Sequence, residues 1–292
     1  MKKILPPIFL FVFYFHAFGY GSNIDSLQME NNSHPGDSRS CQALAGAYIE
    51  EKDYLSAINI LRSDLDRDSA NAQTLYLLGY VLDQTDFLPT AMAYYHKSLQ
   101  CDSTYWRPYH SLAYLYDIFA QYDSMYYYLQ HAIRYAPVPD SIYYDMGYCF
   151  DMQGQADSAM LYYYKAAAFD SLDSQAYMNL GAIWGEKGHP DSAKAYTQKS
   201  LRLNPNEAEA CYNYGGILAG ENSFEQAIDY YQKALVLDTS MVAAKAQLGL
   251  LYETLGDSAM AHIYYSEFVN SAPPIYSADI EKIQAKLKDY DK

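Results

Sequence analysis

The chain has 292 residues, and its 35 acidic against 20 basic side chains give a formal net charge of −15. A surface of this charge repels the phosphate backbone of nucleic acids, which we therefore exclude as partners. Half of the residues are hydrophobic and 19% are charged, a balance that indicates a large folded body and not a disordered chain. Tyrosine is unusually frequent, with 34 Tyr against 11 Phe and 2 Trp.

The N-terminal residues have the three-part form of an export signal. A start with two lysines precedes an apolar run over residues 4–18, and small residues at Ala17 and Gly19 favour cleavage before Tyr20. A helix of that length spans about 22 Å, less than the roughly 30 Å hydrocarbon core of a bilayer. We therefore expect residues 1–19 to be a signal peptide. The mature chain is then exported to the periplasm or cell envelope, without membrane insertion.

Residues 20–38 are polar, contain the breaker His34-Pro35-Gly36 and show no helical apolar period. They predict a flexible tether between the signal peptide and the folded body.

A repeat of 34 residues fills most of the remaining chain. Apolar residues recur three or four apart in two stretches per repeat, which predicts a pair of amphipathic helices in each unit. Small residues in fixed columns predict that the two helices of a pair cross closely. The main small column is glycine in six units, with Ala113 in the missing place and only 33 residues between the first two: Gly46, Gly79, Gly147, Gly181, Gly215 and Gly249.

Two further columns support the repeat. Gly154, Gly188 and Gly256 fall between the two apolar stretches, where a first helix needs a left-handed cap. A tyrosine column falls on the second helices, and we expect it to pack between units: Tyr94, Tyr128, Tyr162, Tyr196, Tyr230 and Tyr264.

This pattern of Leu-Gly, an aromatic, Ala, an aromatic and Ala resembles the tetratricopeptide (TPR) repeat, most clearly from Ala208 to Thr239. The resemblance implies an all-α fold, a right-handed α-solenoid of about seven helix-turn-helix units over 39–275. Residues 276–292 then form a cap helix, with Ile280, Ile283 and Leu287 on one stripe. The expected units, of which the first is one residue short, are 39–71, 72–105, 106–139, 140–173, 174–207, 208–241 and 242–275.

Catalytic and metal-binding motifs are missing from the sequence. The seven histidines form no metal-ligand spacing, and there is no GxSxG motif and no phosphate-binding glycine loop. We therefore predict no catalytic residue, no metal and no cofactor, and a protein that is not an enzyme. Cys41, Cys101, Cys149 and Cys211 occupy different places in well-separated units, so we expect four unpaired, mostly buried thiols.

The resemblance also assigns candidate binding residues, because first helices of TPR units line a concave groove through places 2, 5, 9, 12 and 13. The tyrosine-rich set on this face also includes His110 and Met178: Tyr76, Tyr80, Tyr114, Tyr144, Tyr148 and Tyr212. An acidic row at place 12, with Glu186 one residue later, comprises Glu50, Asp83, Asp117, Asp151 and Glu253. Place 6 carries Asn179 and Asn213, a residue that some TPR grooves use to hold a peptide backbone.

These residues favour a non-catalytic adaptor that binds a peptide segment of a partner protein. The partner is neutral or basic, because Arg107 is the only basic residue among the groove places. Two alternatives stay open. The tyrosines and carboxylates can be core filler and solvated surface, and the protein can be a structural subunit that packs through its outer face. Recurrent Asp-Ser triplets resemble an O-glycosylation signal, yet they also suit helix N-termini.

Overall fold

The computed structural model describes residues 24–290, apart from the side chains of Asp140, Asp289 and Tyr290. The predicted signal peptide lies outside this range. Within it the chain forms sixteen α-helices and no strand, so the all-α prediction is confirmed. Helix α1 (Ile24–Ser33) precedes seven helix pairs, and a 3-10 turn at Pro274–Tyr276 leads into the last helix, α16 (Ser277–Tyr290).

The first helices of the seven pairs are α2 (Ser38–Glu50), α4 (Ala72–Gln84), α6 (Trp106–Ile118), α8 (Asp140–Met152), α10 (Ser174–Glu186), α12 (Ala208–Gly220) and α14 (Val242–Thr254). The second helices are α3 (Tyr54–Leu65), α5 (Leu88–Cys101), α7 (Tyr122–Tyr135), α9 (Ala156–Phe169), α11 (Pro190–Leu203), α13 (Phe224–Leu237) and α15 (Ser258–Ser271).

The pairs are divided between two compact bodies, with the boundary between Ile142 and Tyr143 in the first turn of α8. In each body the two helices of a pair pack on each other, and first helices of neighbouring pairs also touch. Such contacts join α2 to α4 and α4 to α6 in the N-terminal body, and α10 to α12 in the C-terminal body. The first helices of a body therefore form one layer, as the solenoid prediction requires.

The repeat is 34 residues long in all seven pairs, so the prediction of a shortened first unit is wrong. Each first helix is followed by one residue with a positive φ, at intervals of 34: Lys52, Asp86, Ala120, Gly154, Gly188, Asn222 and Gly256. The predicted left-handed glycines are thus confirmed, and four units use another residue. In this register the first unit spans 38–71, Ala45 occupies the glycine column in place of Gly46, and Glu50 moves to place 13.

Places are counted from the first residue of each first helix, so that Ala72 is place 1 of the second unit. The two helices of a pair cross where place 8, on the first helix, meets place 24, on the second helix. A methyl group on Gly79 would lie 2.8 Å from Cδ1 of Tyr95, and one on Gly215 would lie 2.9 Å from Cδ1 of Tyr231. Gly147 and Gly249 have the same relation to Tyr163 and Tyr265, at 2.6 and 2.4 Å. Glycine is required at these crossings because a phenol ring already fills the space.

The two units with alanine at place 8 carry a smaller side chain at place 24. Ala45 is matched by Leu61, and Ala113 by Leu129, and all four side chains are buried. The remaining unit combines Gly181 with Thr197. In the two alanine units, the volume added at place 8 is therefore removed at place 24, which keeps the crossing packed.

The tether prediction is wrong for residues 24–33, which form α1. Leu27 is buried against Leu44 and Ala47 on α2. Asn31 on α1 also accepts hydrogen bonds from Ser40 and Cys41. The helix shows no apolar period because it buries one residue only, and side-chain hydrogen bonds complete its contact with α2.

Helix α16 covers the end of the last pair. Ile283 is buried, with Ile280 and Leu287 beside it, in a cluster that includes Tyr265 and Phe268. The stripe predicted for the cap helix thus faces the core. Three of the four cysteines are buried and Cys101 is exposed, as expected for mostly buried thiols. Between Ile24 and Tyr290, none of the helices is both long and apolar enough to cross a membrane.

The helix crossing gives a direct test of the repeat. Gly215→Ala should destabilise the protein by about 1–3 kcal/mol, because its methyl group overlaps the Tyr231 ring. Adding Tyr231→Leu, which copies the alanine–leucine units, should restore at least half of the loss in urea unfolding followed by circular dichroism.

Gly220→Ala is the matched control, since a methyl group there meets nothing within 4 Å. It should be neutral or slightly stabilising. Equal losses for Gly215→Ala alone and for the double variant would contradict the complementary packing.

Candidate functional site

Two groups of half-buried tyrosines and carboxylates lie on the first helices, one in each body. The N-terminal face consists of Tyr80 and Asp83 on α4 with Tyr114 and Asp117 on α6. Burial and the charge of Asp83 raise the pKa of Tyr80 to about 12. Burial, then Asp83 and Asp117, raise the pKa of Tyr114 to about 12. The structure therefore brings these four predicted residues together, and both phenols keep their donor hydrogen at neutral pH.

Tyr76 does not belong to this face, and its prediction as a binding residue is wrong. Its side chain is only 2% exposed. The ring centroid lies 5.7 Å from that of Tyr95 and 5.3 Å from that of Tyr105. Met178, which holds the same place on α10, is also buried.

Place 5 is a packing position in the C-terminal body too. The ring centroid of Tyr144 lies 5.5 Å from that of Tyr163, and the centroid of Tyr212 lies 5.4 Å from that of Tyr231. Asn179, predicted to hold a peptide backbone, donates its Nδ2 hydrogen to Tyr144 Oη at 3.2 Å. These residues stabilise the contact between helices, while Asn213 is half-buried at the corresponding place on α12.

The acidic row is tied to the core by tyrosines at place 24, a link that the sequence did not reveal. Tyr95 Oη donates to Asp83 at 3.3 Å, and Tyr265 Oη donates to Glu253 at 2.7 Å. In both units the tyrosine ring packs against the glycine at place 8. Its hydroxyl then reaches the carboxylate four residues further along the first helix. The sequence feature that could have indicated this hydrogen bond is the occurrence of Gly at place 8 together with Tyr at place 24.

The C-terminal face consists of Tyr148 and Asp151 on α8 with Glu186 on α10. Tyr163 lies beneath it and is fully buried. Burial raises the pKa of Tyr163, and the nearby Tyr144 and Asp151 raise it further, whereas the Asn179 side chain lowers it. In distance and angle, however, Tyr163 Oη makes no hydrogen bond within residues 24–290. Burial and the nearby Glu186 raise the pKa of Asp151.

The tyrosine column of the second helices is half-buried and packs both between units, as expected, and within them. Tyr128 stacks on Tyr116 with ring centroids 5.2 Å apart, and Tyr264 stacks on Tyr252 at 5.6 Å. A contact between units occurs at Tyr196, whose Oη accepts from Tyr164 Oη at 3.2 Å. In residues 24–290, no group of three His, Cys, Asp or Glu side chains is arranged to hold a metal ion.

The family model of the tetratricopeptide repeat matches residues 185–242. The match supports the tetratricopeptide-repeat family. No curated protein matches the chain. Proteins of this family are generally non-catalytic scaffolds, and the fold suggests a protein-binding scaffold here.

Solved structures share the fold at low sequence identity. The Cut9–Hcn1 hetero-tetramer of the APC/C matches with 19% identity and a TM-score of 0.70, over 92% of this chain and 52% of that one. The chain thus spans about half the length of the matched protein. Pseudomonas aeruginosa pilF matches with 21% identity and a TM-score of 0.65, over 76% of this chain and 99% of that one.

A third structure is YrrB, described as a TPR protein with an unusual peptide-binding site. It has 21% identity and a TM-score of 0.52, over 63% of this chain and 95% of that one. At these identities the likeness shows the fold alone, and the candidate site depends on the residues of this chain.

The tyrosines at place 24 allow a matched comparison. Tyr265→Phe removes the hydrogen bond to Glu253 and should cost about 1.5–3 kcal/mol, as for a bond to a charged acceptor. Tyr163→Phe removes a hydroxyl that has no partner, so it should change the stability by less than about 0.5 kcal/mol or increase it.

Urea unfolding of the two variants and the wild type measures the difference. A loss at Tyr163→Phe as large as that at Tyr265→Phe would contradict the described state of the Tyr163 hydroxyl.

Proposed function

We propose that this protein is a non-catalytic adaptor of the cell envelope that binds a peptide segment of a partner protein on its first helices. The observation that supports this proposal is the composition of the two faces. The N-terminal face combines two half-buried tyrosines with two carboxylates, and the C-terminal face combines the half-buried Tyr148 with two carboxylates, all on first helices. Tyrosine offers rigid contact area with a hydrogen-bonding tip, the side-chain chemistry favoured at recognition surfaces.

The charge of the faces supports a neutral or basic partner. Asp83 and Asp117 lie on the N-terminal face, and Asp151 and Glu186 lie on the C-terminal face. The chain as a whole carries a net charge of −15. Such a surface attracts basic segments and repels acidic ones, including nucleic acids. The peptide-binding site named for YrrB is a precedent for this use of the fold.

The envelope location depends on the export signal predicted for residues 1–19. A charged start, a short apolar run and small residues before Tyr20 support it. N-terminal sequencing of the protein from its source cells tests this location. A mature chain that begins near Tyr20 is expected, and an intact Met1 would contradict export by this signal.

The alternative function, a structural subunit that packs through its outer face, has one observation in its favour. Second helices expose large apolar side chains at place 22, where Tyr127 is 53% exposed and Leu161 is 52% exposed. Exposed apolar side chains at one repeated place can mark an interface. This alternative predicts an assembly that depends on Tyr127 and Leu161 and needs no ligand on the first helices.

A peptide library displayed on phage and selected against the full chain separates the two functions. We expect selected peptides to lose at least tenfold in affinity with Tyr80→Ala/Tyr114→Ala or with Tyr148→Ala, because buried tyrosine contacts often contribute about 2 kcal/mol. Fluorescence polarisation of labelled peptides provides the affinities, and circular dichroism checks that each variant is folded.

Tyr127→Ala is the matched control, since it removes an exposed tyrosine from a second helix. It should leave peptide affinity unchanged. Failure to select any peptide, or loss of binding with Tyr127→Ala alone, would refute the adaptor. Tyr127→Ala that breaks a self-assembled form in sedimentation would support the structural subunit.

A further inference from the structure

The last helix pair shows how a lysine binds to the acidic row. Glu253 accepts a hydrogen bond from Tyr265 Oη and forms an ion pair with Lys286 of α16, whose Nζ lies 2.5 Å from Glu253 Oε2. The same Nζ lies 5.4 Å from the Tyr265 ring centroid. An ammonium group, a carboxylate and a phenol thus meet from three successive helices, α14, α15 and α16.

Helix α16 occupies the position that the first helix of an eighth pair would have. It begins at Ser277, 35 residues after Val242 begins α14. Lys286 therefore reaches back to the preceding unit from a neighbouring helix that follows the last pair. This arrangement is a template within the chain for a basic side chain on the acidic row.

The fourth pair repeats two parts of this arrangement and lacks the third. Asp151 on α8 has the place of Glu253, and Tyr163 on α9 has the place of Tyr265. Gly147 receives the Tyr163 ring as Gly249 receives that of Tyr265. In the described part of the chain, however, no Lys, Arg or His forms an ion pair with Asp151, and Tyr163 Oη is buried without a partner.

The neighbouring helix adds negative charge where α16 adds a lysine. Helix α10 has Trp184 at the place of Lys286, with Gly185 and Glu186 after it. Glu186 is close enough to raise the pKa of Asp151, which burial raises further. Asp151 is thus near a second carboxylate, Glu186, and near the buried Tyr163 hydroxyl, which makes no hydrogen bond. A buried polar group in this state costs about 1–3 kcal/mol, which a suitable ligand can recover.

The chemistry of these groups selects the ligand. An ammonium group has three N–H donors and a positive charge, so it can bind Asp151 and Glu186 together. Glu186 is exposed and Asp151 is half-buried, so the carboxylates can be approached from solvent. Once Asp151 is held by a cation, Tyr163 Oη can donate to it, as Tyr265 Oη donates to Glu253.

We propose that Asp151, Glu186 and Tyr163 form a binding site for a lysine side chain of the partner, which takes the place that Lys286 takes in the last pair. We call it the lysine site. Asp151 and Glu186 bind the ammonium group, and Tyr163 is a positioning residue that orients Asp151. This inference rests on the proposed function, because the lysine belongs to the segment bound by the C-terminal face.

Two phage libraries test the lysine site with the full chain. They carry the same random twelve-residue peptides, except that the central position is fixed as lysine in one and as glutamine in the other. We expect the lysine library to be enriched at least tenfold more on the wild type than on Asp151→Asn. The glutamine library should not distinguish these two proteins.

Asp229→Asn is the control for net charge. Asp229 is exposed on α13, two pairs further along the chain than the lysine site. It should enrich the lysine library as the wild type does. For labelled lysine peptides we expect Asp151→Asn to raise Kd about tenfold and Tyr163→Phe to raise it about threefold, with both variants folded by circular dichroism.

An internal lysine provides a second test. Gly185 is exposed, and a Cβ there makes only an ordinary contact of 3.8 Å with Ala193, so a side chain can begin there without a clash. Gly185→Lys should occupy the carboxylates and weaken lysine peptides at least tenfold, whereas Gly185→Gln should not.

The outcomes separate the two proposals. Binders from both libraries that Asp151→Asn leaves unchanged would overturn the lysine site and keep the adaptor. If neither library yields a binder, both the lysine site and the adaptor function would be overturned.

Discussion

The close crossing of the two helices in each pair is the constraint on which the rest of this structure depends. Place 8 must be small because place 24 brings a large side chain across the same point. In four of the five units with glycine at place 8, as at Gly79 and Gly249, the crossing side chain is a tyrosine ring, and Gly181 crosses Thr197. The phenol then extends past the first helix and reaches the carboxylate at place 12. Core packing and the acidic row are therefore parts of one arrangement.

This arrangement gives the carboxylates of the row different roles. Asp83 and Glu253 accept hydrogen bonds from buried tyrosines, so part of their role is structural. Asp151 lacks such a bond and lies beside Glu186. A carboxylate with a neighbouring like charge and no cation is destabilised, which is tolerated more readily at binding sites than in a core. The fourth pair therefore differs from the second and seventh pairs, because its place 12 carboxylate does not accept a hydrogen bond from the tyrosine at place 24.

The sequence was sufficient for the fold because its signals are periodic. The helix pairs, the left-handed glycines such as Gly154 and the stripe at Ile283 follow from local propensity and apolar spacing. The first unit was misplaced by one residue because Ala45 and Gly46 are both small. Helix α1 was missed because only Leu27 is buried in its contact with α2, with Ile24 packed beside it, which is too little to give an apolar period.

The site was less accessible to sequence reasoning. Tyr76 and Tyr80 lie four residues apart on one helix, yet Tyr76 is buried because its ring turns onto Tyr95. Which tyrosine turns inward depends on the neighbouring helices, and helical spacing alone does not contain that information. The Tyr163 hydroxyl is a stronger example, since Tyr163 and Tyr265 hold the same place and differ only in their partners.

The central claim is that a partner segment binds along the first helices of the repeat. Amide hydrogen exchange of the full chain, with and without a selected peptide, tests it most directly. The account predicts slower exchange in α4 and α6 or in α8 and α10, with α7 and α13 unchanged. Protection confined to second helices, or to α16, would contradict it.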